Sequence, residues 1–147
     1  MRIEPAAAAD VEAVETLLTA CDLPLAGVRD HFGDFLVARA PSAAGTPVVV
    51  GCAGLERHGE TCVFRSLAVS PGHRGAGLGR RLMEAALTRA GELGFRDVVL
   101  LTLTIERMAA RQGFARIERD QVPAAATSSV EFTLNCCASA VVMRRLL

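Results

Sequence analysis

The chain has 147 residues, of which 51% are hydrophobic, and its 16 acidic side chains balance its 16 basic ones. This length suits a single domain over residues 1–147, and the zero net charge gives no broad field that would attract nucleic acid or an anionic membrane. All 16 basic residues are arginines, so the lysine needed for Schiff-base chemistry and for a Walker-type phosphate loop is missing.

The first half of the chain predicts both strands and helices. An early helix begins after Asp10, which is placed to cap it, and carries apolar residues at helical spacing. A second short helical segment is predicted between Pro24 and Gly33, and an exposed turn at residues 41–47. The strands predicted in this half are residues 1–4, 35–40, 48–55 and 62–69, the last two joined by a hairpin at residues 56–60.

The second half begins with a glycine-rich loop and a helix at residues 78–93, which Gly94 ends. Residues 98–103 form a continuous apolar run, typical of a central strand covered on both faces. The remaining predicted elements are a helix at 106–112, a strand at 116–122, an irregular or briefly helical segment at 123–135 and a closing strand at 138–146. This order of elements predicts a mixed α/β domain.

Cysteine usage and the N-terminus favour a cytoplasmic protein. The five cysteines include no Cys-x-x-Cys pair, which argues against a disulfide framework or a structural zinc site, so no bound metal is expected. The N-terminus carries Glu4 and Asp10 and lacks the apolar core of a signal peptide. No apolar run approaches the ~20 residues of a membrane span.

The segment Arg74-Gly75-Ala76-Gly77-Leu78-Gly79-Arg80 is the most informative part of the sequence. A glycine-rich loop at a helix start presents unpaired backbone N–H groups beside the positive end of the helix dipole, which makes an anion site suited to a pyrophosphate. Two phosphate-binding loops are excluded. The nucleoside-triphosphate loop lacks its lysine, and the dinucleotide fingerprint lacks its third glycine and its acid, where Arg80, Thr102 and Thr104 stand instead.

The stretch from Leu67 to Arg80 resembles the acetyl-CoA site of the GNAT superfamily of N-acetyltransferases. The family's Arg/Gln-x-x-Gly-x-Gly/Ala motif falls on Arg74, Gly77 and Gly79, and a second mark, a short helix ending in Gly-Phe, falls on Gly113-Phe114. The resemblance covers nearly the whole chain. It implies a mixed, mostly antiparallel sheet of six to seven strands, splayed centrally, with about four flanking helices, and acetyl-CoA as cosubstrate.

The resemblance also implies which residues contact the cosubstrate. The backbone of the strand before the loop would pair with pantetheine, the loop N–H groups would bind the pyrophosphate, and two arginines are plausible phosphate partners. An ordinary strand-turn-helix junction with solvated arginines is the alternative. The residues implied are Leu67, Ala68, Val69, Arg74, Gly75, Ala76, Gly77, Leu78, Gly79 and Arg80.

Several segments look like one branch of the superfamily, the arsenic-resistance N-acetyltransferases. They are residues 54–59, 65–67 and 100–104 and the tail positions Glu131, Phe132, Cys136, Ser139, Ala140 and Met143. The chain departs from this branch at Met108 and Ala109, where aromatics are usual, and at Cys137, where a proline is usual. This resemblance implies a role near arsenic detoxification through acetylation of the amine of a small compound.

The sequence lacks the proton donor that many enzymes of the superfamily use. Many GNAT enzymes donate the final proton from a tyrosine in the short helix before Gly-Phe, where this chain has Ala109, and it has no tyrosine at all. Because a thiolate of pKa near ~8.5 is a tolerable leaving group in water, this loss need not stop turnover. Glu56, at the end of the third strand, is the predicted general base, with His58 as a weaker candidate; a solvated hairpin glutamate is the alternative.

Four further residues are candidates for substrate binding. Arg65 and Ser66 precede the pantetheine segment, and Arg65 in so apolar a strand needs an anion, either a substrate oxyanion or a neighbouring acid. Thr102 and Thr104, at the end of the fifth strand, could bind substrate or water, or cap the following helix.

Three classes of function follow. The first is an acetyl-CoA-dependent N-acetyltransferase that acts on a small amine. The second, suggested by the missing tyrosine, is a non-catalytic acyl-CoA-binding sensor or partner subunit. The third is a metalloid-binding protein that uses Cys136 and Cys137, although adjacent cysteines in an extended segment point to opposite faces. A homodimer formed through the apolar closing strand is left open.

Overall fold

A computed structural model describes residues 1–133 and 139–147 of the chain. The strands are β1 (Arg2–Pro5), β2 (Phe35–Ala40), β3 (Val48–His58), β4 (Thr61–Val69), β5 (Asp97–Thr102), β6 (Ala115–Ile117) and β7 (Val141–Leu146). The α-helices among these residues are α1 (Val11–Ala20), α2 (Leu78–Glu92) and α3 (Glu106–Arg111), and short 3-10 helices lie between them.

The strands form one mixed sheet in the order β1-β2-β3-β4-β5-β7-β6. β2 pairs antiparallel with β1 and β3, and β7 pairs antiparallel with β5 and β6. β4 and β5 run parallel, and their recorded pairing covers Thr61–Val63 and Asp97–Val99. The predicted fold class, a mixed and mostly antiparallel sheet with flanking helices, is confirmed. The closing strand β7, through which a homodimer was left open, lies between β5 and β6 and is therefore not a free edge of the sheet.

The described residues divide into two compact units, of which the first comprises Met1–Gly54 and Ser66–Ala86. Its core forms where α1 packs its apolar face on the sheet, and the fully buried members include Val14, Leu18, Phe35 and Val37. The rings of Phe32 and Phe35 stack with centroids 5.3 Å apart. The apolar spacing that predicted α1 therefore describes the face that the helix buries.

Two local predictions in the first unit were wrong. Asp10 precedes α1 but makes no capping bond to it; its carboxylate accepts from the Ala7 N–H at 2.7 Å and from the two terminal nitrogens of Arg39. The hydrogen bond from Arg39 holds the pKa of Asp10 below its usual range. The segment from Pro24 to Gly33 forms turns and the start of a 3-10 helix, and Gly27 takes a φ of 80°, which a helix interior does not allow.

The second unit comprises Leu55–Arg65 and Leu87–Leu147. A cluster of buried apolar side chains joins β4, β5 and β7 to the connection that follows β6; its members are Val63, Val99, Val122, Ala126 and Val142. That connection contains 3-10 helices at Arg119–Gln121, Ala124–Ser128 and Val130–Phe132. The prediction of an irregular or briefly helical segment at 123–135 is confirmed as far as residue 133.

The predicted strand at 116–122 was wrong beyond Ile117. The Glu118 N–H donates to Oε1 of Gln121 at 2.7 Å, so the backbone turns into a 3-10 helix instead of continuing the ladder. The predicted helix ends are confirmed: Gly94 and Gly113 have φ values of 86° and 90°. Among the described residues no helix is long and apolar enough to span a membrane.

Candidate active site

The junction between β4 and α2 carries the glycine-rich loop. After β4 the Ser70 N–H donates to the Val50 carbonyl at 2.8 Å, and a 3-10 turn at Pro71–His73 leads into the loop. Gly75 and Gly77 have φ values of 86° and 80°. Residues with a side chain rarely adopt this left-handed backbone region, so the two glycines set the path of the chain into α2.

The start of α2 presents backbone donors. The Gly77 carbonyl accepts from the Arg81 N–H at 3.1 Å, which makes Gly77 the N-cap residue of α2. The N–H groups of Leu78, Gly79 and Arg80 therefore have no acceptor within the helix. They lie at the positive end of the helix dipole, beside the exposed backbone of Gly75 and Ala76.

The surroundings of the two glycines fit an anion. A Cβ built on Gly75 would meet nothing within 4 Å, and one built on Gly77 would meet no atom closer than the Arg80 guanidinium at 3.8 Å. Glycine is thus favoured here by the positive φ and not by packing within the chain, and the absence of a Cβ leaves space in which a phosphate could approach the backbone. The donor set and the open space both suit a pyrophosphate.

The arginines of this loop take different partners. Arg74 turns back on the strand, where its Nε donates to the Val69 carbonyl at 2.9 Å and its Nη2 lies 3.4 Å from the sulfur of Cys21. Arg80 is largely exposed and lies 3.8 Å from Glu84, one turn along α2. Arg80 is thus directed along the exposed helix, and the Arg74 guanidinium holds the end of β4.

β4 has an irregular backbone where the predicted pantetheine segment begins. Ser66 has a φ of 59°, which is uncommon for a residue with a side chain and marks local strain. The Cys52 thiol donates to the Ser66 carbonyl at 3.2 Å, and burial raises the pKa of that thiol to about 12. Leu67 and Val69 after it are half-buried, while Ala68 packs in the core.

The second unit holds a group of buried charged residues around Glu56. This residue lies inside β3 and not in the hairpin, because β3 runs on to His58 and the turn is only Gly59 and Glu60. Glu56 Oε2 accepts from Arg65 Nη1 at 2.7 Å, and both side chains are fully buried. The interpretation of Glu56 as a solvated hairpin residue is therefore wrong.

The other carboxylate oxygen of Glu56 has two more partners. Ser129 Oγ donates to Glu56 Oε1 at 2.6 Å, and His58 Nε2 lies 2.8 Å from the same oxygen. Burial alone would raise the pKa of the Glu56 carboxyl, but the hydrogen bonds from Ser129, His58 and Arg65 outweigh it and lower that pKa. Glu56 is thus held as a carboxylate with three donors.

A second acid, Glu131, lies beside this group. Its Oε1 is 3.8 Å from Arg65 Nε, and 13% of its side chain is exposed. Burial raises the pKa of Glu131, and the Glu56 charge adds to the rise while Arg65 opposes it. Arg65 therefore lies between two acids, as predicted by the alternative in which it pairs with a neighbouring acid.

Sequence reasoning missed Ser129 and Glu131 as site residues. Both lie in a segment predicted only as irregular, and Ser129 is 73 residues from Glu56 in the chain. The available signal was the pair of charges, Glu56 and Arg65, in two otherwise apolar strands, since buried charges require partners.

The two threonines at the end of β5 differ. Thr102 is buried, and its Oγ1 accepts from the Ile105 N–H at 2.8 Å and from the Thr104 N–H at 3.1 Å, so it caps the turn into α3. Thr104 is exposed. Ala109 on α3, which stands in the place of the tyrosine that the resemblance implies, is fully buried, and its carbonyl accepts from the Phe114 N–H. Cys136 and Cys137 lie outside the described residues.

The sequence matches the model of the acetyltransferase (GNAT) family over residues 8–117 of 147. The chain therefore belongs to this family and is an acyltransferase. Acetyl-CoA, the cosubstrate of GNAT enzymes, is its cosubstrate, in agreement with the backbone donors that the start of α2 presents. No curated protein matches the sequence significantly.

Solved structures share the fold. Rv2747 from Mycobacterium tuberculosis, in complex with CoA and NLQ, superposes with a TM-score of 0.81 at 24% identity, with 100% of this chain and 99% of that one covered. N-acetylglutamate synthase from Neisseria gonorrhoeae, complexed with CoA and N-acetyl-glutamate, gives 0.82 at 19% identity over 99% of this chain and 35% of that one. A GNAT acetyltransferase from Staphylococcus aureus gives 0.72 at 15% identity, with coverage of 99% and 98%.

Proposed function

We propose that this acyltransferase is an N-acetyltransferase, which moves the acetyl group of acetyl-CoA to the amine of a small molecule. The observation that carries the proposal is the start of α2. There Gly75 and Gly77 leave the backbone uncovered by side chains, and three N–H groups have no acceptor within the helix. This arrangement supplies an electrostatic clamp for a pyrophosphate without any lysine.

The rest of the cosubstrate is assigned by following the chain back from the loop to the end of β4. We assign the pyrophosphate to the N–H groups of Gly75, Ala76, Gly77, Leu78, Gly79 and Arg80, and the pantetheine arm to the backbone of Leu67, Ala68 and Val69. Arg80, exposed beside these donors, can reach a phosphate. Arg74 can do so after releasing the Val69 carbonyl, which would then be available to an amide of the pantetheine.

The chemistry requires a neutral acceptor nitrogen. An alkyl ammonium has a pKa of roughly 10 in water, so a protein group must take its proton at neutral pH. The departing thiolate, in contrast, needs little help. A site without a tyrosine can therefore work, provided that a carboxylate meets the ammonium and the backbone positions the thioester.

Two observations support a small acceptor. The Neisseria enzyme is complexed with N-acetyl-glutamate, an acylated amino acid, which supports amino acids as the first compounds to test. The resemblance of residues 54–59, 65–67 and 100–104 to the arsenic-resistance branch supports amine-bearing arsenic compounds as the second group. We propose that the acceptor belongs to one of these two groups.

The test is an acetyl-transfer assay with the purified chain. Release of free thiol from acetyl-CoA is followed over a panel of amino acids, simple alkyl amines and amine-bearing arsenicals, with a blank for the protein's own cysteines. Acceptor-dependent release, with the N-acetyl product identified by mass spectrometry, is the expected result. Tight CoA binding without release for any amine would instead favour the non-catalytic CoA-binding sensor, the reading that the absence of a tyrosine supports.

A further inference from the structure

We propose that Glu131 is a catalytic residue of this reaction: its carboxylate binds the ammonium group of the acceptor and takes the proton that must leave before the nitrogen attacks. Glu56 then acts as a positioning residue. The inference rests on the proposed N-acetyltransferase function and names the proton acceptor that this function requires.

The first support is the way in which Glu131 is held. Ser129 Oγ accepts from the Glu131 N–H at 3.2 Å and donates to Glu56 Oε1 at 2.6 Å. One hydroxyl therefore ties the backbone of Glu131 to the carboxylate in β3. Since Glu56 is itself fixed by Arg65, the start of the Glu131 side chain is anchored to the sheet through two hydrogen bonds.

The second support is the difference between the two carboxylates. Glu56 is fully buried and accepts from three side chains, which leaves it poorly placed to meet a substrate. Glu131 keeps 13% of its side chain exposed, and its recorded side-chain contact among the described residues is the long one, 3.8 Å, to Arg65. An incoming ammonium can thus reach Glu131 and would find a carboxylate with spare acceptor capacity.

The third support is electrostatic. When their environments shift the pKa values of two neighbouring titratable groups in opposite directions, one group is suited to exchange protons and the other stays charged. Here the pKa of Glu56 is lowered by its donors, while the pKa of Glu131 is raised by burial and by the Glu56 charge, against Arg65. A raised pKa makes a carboxylate a stronger base, so Glu131 is the better proton acceptor of the two.

The proton balance is complete without a further reagent. The acceptor R–NH₃⁺ gives one proton to Glu131 and becomes R–NH₂. The nitrogen lone pair then forms the bond to the thioester carbon, the C–S bond breaks, and the sulfur takes the electron pair. The second nitrogen proton neutralises the thiolate, and Glu131 returns the first proton to water. The sum is R–NH₃⁺ and acetyl-CoA giving the N-acetyl amine, CoA-SH and H⁺.

The test compares Glu131→Gln, Glu131→Asp and Glu131→Ala with a control, Glu60→Gln, at a glutamate that is 73% exposed. Each variant is first checked for folding by thermal denaturation and for acetyl-CoA affinity by calorimetry. Glu131→Gln should then lower kcat by about 10²–10⁴-fold at neutral pH. Glu131→Asp should keep part of the activity, added formate should partly restore Glu131→Ala, and the control should match wild type.

The pH profile completes the test. The loss in Glu131→Gln should shrink above the pKa of the acceptor's ammonium, where the amine is already neutral. Full activity of Glu131→Gln, or an equal loss at every pH without rescue by formate, would overturn this inference alone. A wild-type chain that acetylates no amine would overturn the proposed function and this inference together.

Discussion

Arg65 donates to the carboxylate of Glu56 at 2.7 Å, and neither side chain reaches water. Attraction between buried charges must offset a large loss of hydration, so such a pair is costly to break by removing one partner. Arg65 lies one residue before Ser66, where β4 takes its irregular backbone. It therefore fixes the geometry of the strand just ahead of the proposed pantetheine segment.

Removal of the guanidinium should strongly destabilise the fold. Arg65→Met leaves the Glu56 charge buried without this donor, and we expect the free energy of unfolding to fall by about 3–5 kcal/mol. Urea denaturation at pH 7 measures it. Arg96→Met is the control, since its pair with Glu60 at 3.1 Å is 76% and 73% exposed and should contribute little. Equal effects of the two variants would show that the buried pair is not structural.

The glycine loop should be sensitive to a side chain at Gly77. Gly77→Val should weaken acetyl-CoA binding at least tenfold in calorimetry, because the new side chain enters the space that the phosphate needs. Gly45→Val is a close control: Gly45 has a φ of 85°, against 80° at Gly77, and also faces open space, so the backbone strain is the same. If both variants bind acetyl-CoA like wild type, the loop is not the pyrophosphate site.

Glu131→Gln should increase stability at neutral pH. A carboxyl whose folded-state pKa is raised opposes folding once it ionises, so the cost of Glu131 is absent well below pH 4.5, the ordinary value, and complete above its raised pKa. Glutamine removes this cost. Thermal melts should therefore show a higher Tm than wild type at pH 7 and the same Tm at the lowest pH at which both fold. An unchanged difference across this range would contradict the assigned pKa direction.

Thr102 should matter for stability and Thr104 should not. Thr102→Val removes the hydroxyl that accepts from the Ile105 and Thr104 N–H groups, and the loss of such a cap costs about 0.5–2 kcal/mol. Thr104→Val changes an exposed side chain and serves as the control. The free energy of unfolding from denaturant titration separates them. A rise in the KM for the acceptor that is confined to Thr104→Val would return Thr104 to the substrate site.

The sequence predicted those features that depend on neighbouring residues. The glycines that end α2 and α3, the loop before α2 and most strand bounds follow from local patterns of apolar residues and turn formers. Asp10 was misassigned because its carboxylate meets Arg39, 29 residues away. Ser129 and Glu131 were missed for the same reason: no local pattern indicates that a 3-10 segment will reach Glu56 across 73 residues.

The connection from β6 to β7 has a consequence for how the family can diversify. Each residue of a 3-10 helix turns the chain by about 120°. Inserting or deleting a single residue ahead of Ser129 would thus rotate the Glu131 carboxylate to another side of the segment. The sequence of the loop from Arg74 to Arg80 would not change. In the proposed mechanism, changes of length in this one connection would exchange one acceptor for another and leave the acyl donor the same.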